Sequence, residues 1–292
     1  MINHQYKQLV DNYPKLFQLQ HPNYHAPVNF VLNAYYSKVH VYLANLLPCH
    51  YFYLEQLGRD NIDTNVTSRE DGASGRCLVM ISPDAERTMH TYLGVSEMLS
   101  RKELDFQAAR QSKYIYLEGY LVTSPTAKSA ITELKKFAEE NDVKTAMTFS
   151  DPAMLEYFRD DINDVLGSGV DLLFCNEQEL LLWAGTDNIE AGCSLMEDKA
   201  SQFVITRGAE GALLFDGEDY ISIKGHKVKA IDTNGAGDMF AGAFLYGVTF
   251  GLNFITAGKL ASFASSKVVS QFGPRLYPEQ HVEITSQLLK ST

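Results

Sequence analysis

The segment Asp232-Thr233-Asn234-Gly235-Ala236-Gly237-Asp238 carries the clearest chemistry in the chain. Lys227 to Ile231 reads as a strand running into a glycine-containing turn, and an apolar helix opens near Ala236. The first amides of such a helix, near Gly235, Ala236 and Gly237, lack intrahelical acceptors and lie at the positive end of the helix dipole. Together they form an anion site, and glycine lets the backbone approach a ligand with no Cβ in the way. Asp238 adds an acid beside that site. The pairing suits phosphoryl transfer, with amides holding the migrating group while the carboxylate takes a hydroxyl proton. The plainer reading of the same residues is a helix start with an acidic first turn. Two rival motifs fail. The dinucleotide fingerprint needs a third glycine where Phe240 stands, and no Gly-x-x-x-x-Gly-Lys-[Ser/Thr] occurs in the chain.

Other catalytic signatures are missing. The eight histidines include no His-Glu-x-x-His and no clustered ligand spacing. The four cysteines, Cys49, Cys77, Cys175 and Cys193, form no Cys-x-x-Cys pair, which speaks against a zinc knuckle or a disulfide framework. No Gly-x-Ser-x-Gly supports a hydrolase. Arg87, between Glu86 and Thr88, is a lone arginine whose simplest reading is a solvated side chain.

The elements that must position this chemistry alternate regularly. Strands are expected at Tyr114–Leu117, Lys144–Phe149, Asp171–Cys175 and Gln202–Thr206, starting every 27 to 31 residues. Helices are expected at 126–140, 154–166, 177–183 and 189–199. That spacing is the length of a βαβ unit, and unbroken apolar runs suit parallel strands covered on both faces. The expected fold is therefore α/β, a doubly wound, mainly parallel sheet flanked by helices, with ligands at the carboxyl ends of its strands. Gly211–Phe215, Asp219–Ile223 and His226–Ile231 read as antiparallel strands. Cys77–Ile81 and Thr88–Tyr92 flank Ser82-Pro83-Asp84-Ala85 as a hairpin near 75–93, suited to part of a small β lid, whether complete or incomplete. Helices at 236–250, 255–271 and 278–289 close the chain. Met239 to Gly258 holds no charge, but its four glycines favour a buried helix and a turn over a membrane span.

The ordered motifs resemble the ribokinase/PfkB carbohydrate kinase family, and within it the adenosine kinase-like subgroup. Asp232–Asp238 is similar to the family's C-terminal signature. Asn176-Glu177-Gln178-Glu179 resembles its Asn-x-x-Glu motif, and Thr206-Arg207-Gly208-Ala209-Glu210-Gly211 its ATP-contacting turn. Gln271-Phe272-Gly273-Pro274-Arg275 resembles the loop closing the nucleotide site, and Ser150-Asp151-Pro152 also fits. The resemblance runs from about residue 58 to the C-terminus. It implies a ribokinase-like fold and an ATP-dependent, magnesium-requiring kinase for a primary hydroxyl of a sugar or nucleoside. Asp238 would be the base, and the amides of Gly235, Ala236 and Gly237 the anion hole. Asn176, Glu179, Thr206, Gly208, Gly211, Thr233 and Gly273 would bind the nucleotide. Glu179 would organise magnesium through water, and Asp232 would help hold a monovalent cation, K+, with carbonyls near Gly273. The simpler readings stay open beside these: a solvated helix carboxylate for Glu179, an ordinary β-turn for Thr206 and Gly208, and a helix cap for Asp232.

The chain departs from the family at its start. Residues 1–60 hold five of the eight histidines and eight of the sixteen tyrosines, and no glycine precedes Gly58. That excludes the family's Gly-Gly substrate turn; Asn33 and Asn45 are the only stand-ins for the nearby sugar-binding Asn, and neither has the family's neighbours. The expected organisation is an atypical segment over 1–60 and a ribokinase-like domain over 61–292. A Tyr-rich cover for the sheet's exposed faces, from this chain or a partner, would replace the missing strands. The alternative function is a relative that binds nucleotide but has lost its sugar-binding edge.

Of 292 residues, 45% are hydrophobic and 21% charged, enough apolar mass for one large α/β domain. The formal charge of -11 speaks against nucleic acid and polybasic membrane binding, yet permits a local phosphate pocket. The start Met1-Ile2-Asn3-His4-Gln5-Tyr6-Lys7 lacks a signal-peptide core, so a cytoplasmic enzyme is expected. Oligomeric assembly is left open.

Overall fold

A computed structural model describes residues 32–33, 40–44 and 72–289, apart from 74, 83 and 86. Most of the N-terminal expectations, including the Tyr-rich cover and Asn45, fall outside the described residues. The chain divides into two compact units, Met1–Thr64 with Gly75–Tyr92 and Asn65–Ser74 with Leu93–Thr292.

The first unit contains a four-stranded antiparallel sheet in the order β1 (Leu32–Asn33), β2 (His40–Ala44), β3 (Arg76–Ile81) and β4 (Arg87–Tyr92). The expected hairpin is β3–β4, in register from Arg76↔Tyr92 to Ile81↔Arg87. The atypical segment contributes β2, which pairs with the other edge of β3 from His40↔Ile81 to Ala44↔Cys77. Val79 and Ile81 form its small core with Cys77 and Met89.

The second unit is built on a mostly parallel six-stranded sheet flanked by helices. Its order is β10 (Tyr220–Lys224), β9 (Gly211–Phe215), β8 (Ala200–Thr206), β7 (Val170–Asn176), β6 (Lys144–Thr148), β5 (Tyr114–Glu118). Strands β5 to β8 are parallel, while β9 and β10 run antiparallel. Among the described residues β5 is the edge. Between the parallel strands lie α2 (Pro125–Glu140), α3 (Pro152–Tyr157), α4 (Arg159–Leu166), α5 (Glu177–Ala184) and α6 (Ile189–Glu197), preceded by the short α1 (Phe106–Gln111). The C-terminal part supplies α7 (Ala236–Thr249), α8 (Phe254–Val269) and α9 (Pro278–Leu289).

Alternating strand residues feed two cores. Leu117, Met147, Leu173, Cys175, Phe203 and Ile205 pack with the helices of the βαβ units. Leu172, Phe174, Val204, Leu214 and Ile223 point the other way, toward Phe240, Phe244, Ala257 and Ala261 of α7 and α8. Helices thus cover both faces, which is why these strands read as apolar runs.

Two expectations are corrected. The helix anticipated over 154–166 is two helices, because Phe158 (φ -132°, ψ 27°) leaves helical geometry between them. His226–Ile231 is no strand. A Cβ at Gly225 would lie 2.2 Å from the Ala209 carbonyl oxygen, so the chain leaves the sheet there, and Ile231 donates instead to Val269 O at 2.8 Å. With residues 226–230 exposed, no apolar face holds them to a ladder. The uncharged stretch from Met239 to Gly258 is split between α7 and α8, and among the described residues no helix is long and apolar enough to cross a membrane.

Candidate active site

The carboxyl ends of the parallel strands bring the candidate residues together in the second unit. Gly235 is the N-cap of α7, at φ 77° and ψ 3° with no side-chain capping bond. A Cβ there would lie 2.6 Å from Pro274 Cβ and 2.7 Å from its carbonyl oxygen, so only glycine fits. The Ala236 amide leans back on Thr233 O at 3.3 Å. The amides of Gly235, Gly237 and Asp238 have no acceptor among the described residues. Three donors at a helix N-terminus therefore remain for an anion, with Asp238 in place of Ala236. Asp238 stands exposed in the first turn beside them.

Asp232 braces the turn. It is fully buried; its Oδ1 accepts the Asn234 amide at 2.9 Å and its Oδ2 the Gly273 amide at 2.9 Å. The two loops singled out in the sequence, around 232 and 273, are thereby one structural piece. Both oxygens accept backbone donors, so Asp232 acts here as a brace between the two loops.

Glu179 is buried and forms a capping box with Asn176 at the start of α5. Its oxygens accept the Asn176 amide at 3.0 Å and the Asn176 side-chain amide at 2.9 Å, while the Glu179 amide donates to Asn176 Oδ1 at 2.8 Å. The Asn-x-x-Glu spacing is thus explained locally, since it satisfies the free amides of a helix start. A carboxylate held in this way just past the end of β7 suits a metal-bound water more than the metal itself. Among the described residues no three His, Cys, Asp or Glu gather as a ready metal site. Magnesium fits here only in the form that draws its remaining ligands from phosphate and water.

Thr206 ends β8, and Gly208 (φ 54°) has open space where a Cβ would be, so this turn can meet a ligand. Arg207 is tied to Glu177 at 2.6 Å and to Glu210 at 2.9 Å. Gly211 has a packing reason instead: a Cβ there would lie 2.0 Å from Ile223 O across the β9–β10 pair. Thr233 is half-buried in the turn, its carbonyl oxygen accepting the Ala236 amide.

One acid was not singled out in the sequence. Glu118 ends β5, and its Oε2 accepts the Ser150 hydroxyl at 3.0 Å. Burial pushes its carboxyl above the ordinary 4.5; the Ser150 bond works downward and the Asp238 charge upward. Nearby, the Tyr116 phenol is raised first by burial and then by the charges of Glu118, Asp238 and, more weakly, Glu179, with Thr148 opposing. Acids from β5, α5 and α7 therefore converge on one phenol. An apolar strand ending in Tyr-Leu-Glu gives the only sequence hint, since strand ends are where ligands meet such folds.

A cavity of about 570 Å³ lies at the opposite, amino ends of the strands. Its charged lining is Lys144 against Asp171, Glu197 and Asp216, a poor host for phosphate.

Comparison with known proteins identifies the family and its relatives. The family model for "pfkB family carbohydrate kinase" matches residues 49–280. An uncharacterized sugar kinase of Archaeoglobus fulgidus is 25% identical over 224 residues, covering 76% of this chain and 87% of the relative. The adenosine kinase of Saccharomyces cerevisiae is 26% identical over 247 residues, covering 78% of this chain and 71% of the relative. The crystal structure of adenosine kinase from Sinorhizobium meliloti superposes with a TM-score of 0.78 at 27% identity, over 84% of this chain and 75% of that one.

Proposed function

The chain belongs to the pfkB family of carbohydrate kinases, and we propose that it transfers the terminal phosphoryl group of ATP to a primary hydroxyl of a sugar or nucleoside, adenosine-like nucleosides foremost. The single observation that carries this reading is the uncapped start of α7, where the Gly235, Gly237 and Asp238 amides have no acceptor among the described residues, beside the exposed Asp238 carboxylate. The named adenosine kinases among its relatives favour a nucleoside acceptor.

In this mechanism the acceptor hydroxyl gives its proton to Asp238 as its oxygen attacks the terminal phosphorus. The bond from that phosphorus to the bridging oxygen breaks, and ADP leaves with the electron pair. The three free amides donate to the phosphoryl oxygens as charge develops on them, a preorganised arrangement that needs no reordering during the step. Asn176 and Glu179 would hold the water shell of magnesium, which when bound neutralises phosphate charge. Thr206 and the open turn at Gly208 offer a hydroxyl and amides to the rest of the nucleotide. Glu118 accepts a second hydroxyl of the acceptor and fixes its orientation.

A second reading has its own observation, the glycine-free first 57 residues, which lack the family's substrate turn. It makes the chain a nucleotide binder without transfer. Incubating the protein with ATP, magnesium and a panel of adenosine, other nucleosides, ribose and fructose, and following ADP and phosphorylated product, separates the two. Product with any acceptor supports the kinase; nucleotide binding with no product on the whole panel supports the second reading.

A further inference from the structure

Ser150 combines two features with no separate explanation. It is a non-glycine residue at φ 72°, and it sits in the turn that follows β6. A left-handed serine is strained and persists only where its surroundings demand it. Those surroundings are specific. The Ser150 amide donates to Thr148 Oγ1 at 3.1 Å, its hydroxyl donates to Glu118 Oε2 at 3.0 Å, and the Tyr120 amide reaches its oxygen at 3.4 Å.

Gly119 supplies the second, independent half of the arrangement. A Cβ at that position would lie 2.5 Å from Phe149 O and 2.9 Å from Thr148 O. The turns after β5 and β6 therefore approach more closely than any side-chain-bearing residue permits. That approach brings the Glu118 carboxylate within reach of Ser150. Among the described residues no donor meets the other oxygen, Oε1.

We infer that Ser150 is a positioning residue, holding Oε2 of Glu118 so that Oε1 faces the acceptor and takes a hydroxyl beside the one phosphorylated. The inference deepens the proposed kinase reading and rests on it. Fixing one oxygen of a carboxylate removes its freedom to rotate, so the acceptor hydroxyl meets a preorganised partner. A purely structural role, in which the hydroxyl only satisfies a buried acid, predicts a stability loss with no selective effect on the acceptor.

The test compares Ser150→Ala, Ser150→Gly and Ser150→Asn with the wild type in steady-state assays, alongside thermal melts. Glycine relieves the positive φ and guards against misfolding, and asparagine tolerates that φ while offering an N–H donor. Losing a hydrogen bond to a charged group is expected to raise KM for the acceptor about tenfold in the alanine and glycine variants. KM for ATP should stay within about twofold, and asparagine should recover most of the loss, because the retained donor restores the hydrogen bond. An unchanged acceptor KM in an active protein overturns the inference alone. So does a rise shared equally by both substrates, or one that follows the melting temperature without rescue by asparagine. A wild type that phosphorylates no acceptor overturns the kinase reading, and this inference with it.

Discussion

Asp232 accepts the backbone amide of Gly273, 41 positions further along the chain, at 2.9 Å. The same buried carboxylate accepts the Asn234 amide, so one side chain joins the turn before α7 to the loop after α8. The anion site is held from behind by this brace rather than by the helix alone.

Asp232→Asn tests the brace. An amide presents one oxygen where the carboxylate presents two, so the Gly273 or Asn234 N–H loses its acceptor and faces a donor. Leaving a buried amide unsatisfied costs about 1–3 kcal/mol. Denaturant unfolding should show that loss, and a variant as stable as the wild type would remove the brace from the list of supports.

Gly235→Ala tests the fit at the helix start. The new Cβ meets Pro274 at 2.6 Å while the residue is held at φ 77°, so the turn and the 273–274 loop must part. Strain at such a position costs on the order of 1–3 kcal/mol. Turnover is expected to fall further than stability does, because the free amides move with the turn. Wild-type turnover in this variant would show that the amides need no fixed placement.

Glu118→Gln should stabilise the protein at neutral pH. Its carboxyl is raised in the fold above the ordinary 4.5, chiefly by burial, with Asp238 adding and Ser150 opposing; the neighbouring Tyr116 phenol is neutral. A raised acid binds more protons folded than unfolded, so its penalty appears as pH climbs through 4.5 and is complete above the folded value. The glutamine variant should therefore melt higher than the wild type at pH 7, the difference closing as pH falls below 4.5. Acceptor KM should rise in the same protein. A variant less stable at pH 7 than at low pH, relative to wild type, would contradict the burial account.

Sequence and structure agree most closely where burial dictates residue type. β7 and β8 are legible as apolar runs because helices cover both their faces, and the Asp232–Asp238 turn because glycine and acid spacing is itself the chemistry. His226–Ile231 misleads, since a Lys-Val-Lys-Ala alternation looks like a strand whether or not a partner edge is available. The break at Phe158 has no glycine or proline to announce it. Glu118 escapes a linear reading for another reason: its meaning comes from Ser150 and Asp238, which only the fold brings near. Asn176 and Glu179 show the converse, a family-like motif whose spacing is also that of a capping box.

The most direct measurement is phosphotransfer by Asp238→Asn against the wild type, with ATP affinity measured on the same samples. Losing the proton acceptor should lower kcat by about 10²–10⁴ while ATP binds within about twofold of normal. Wild-type kcat in the asparagine variant would contradict the assignment of Asp238 as the base.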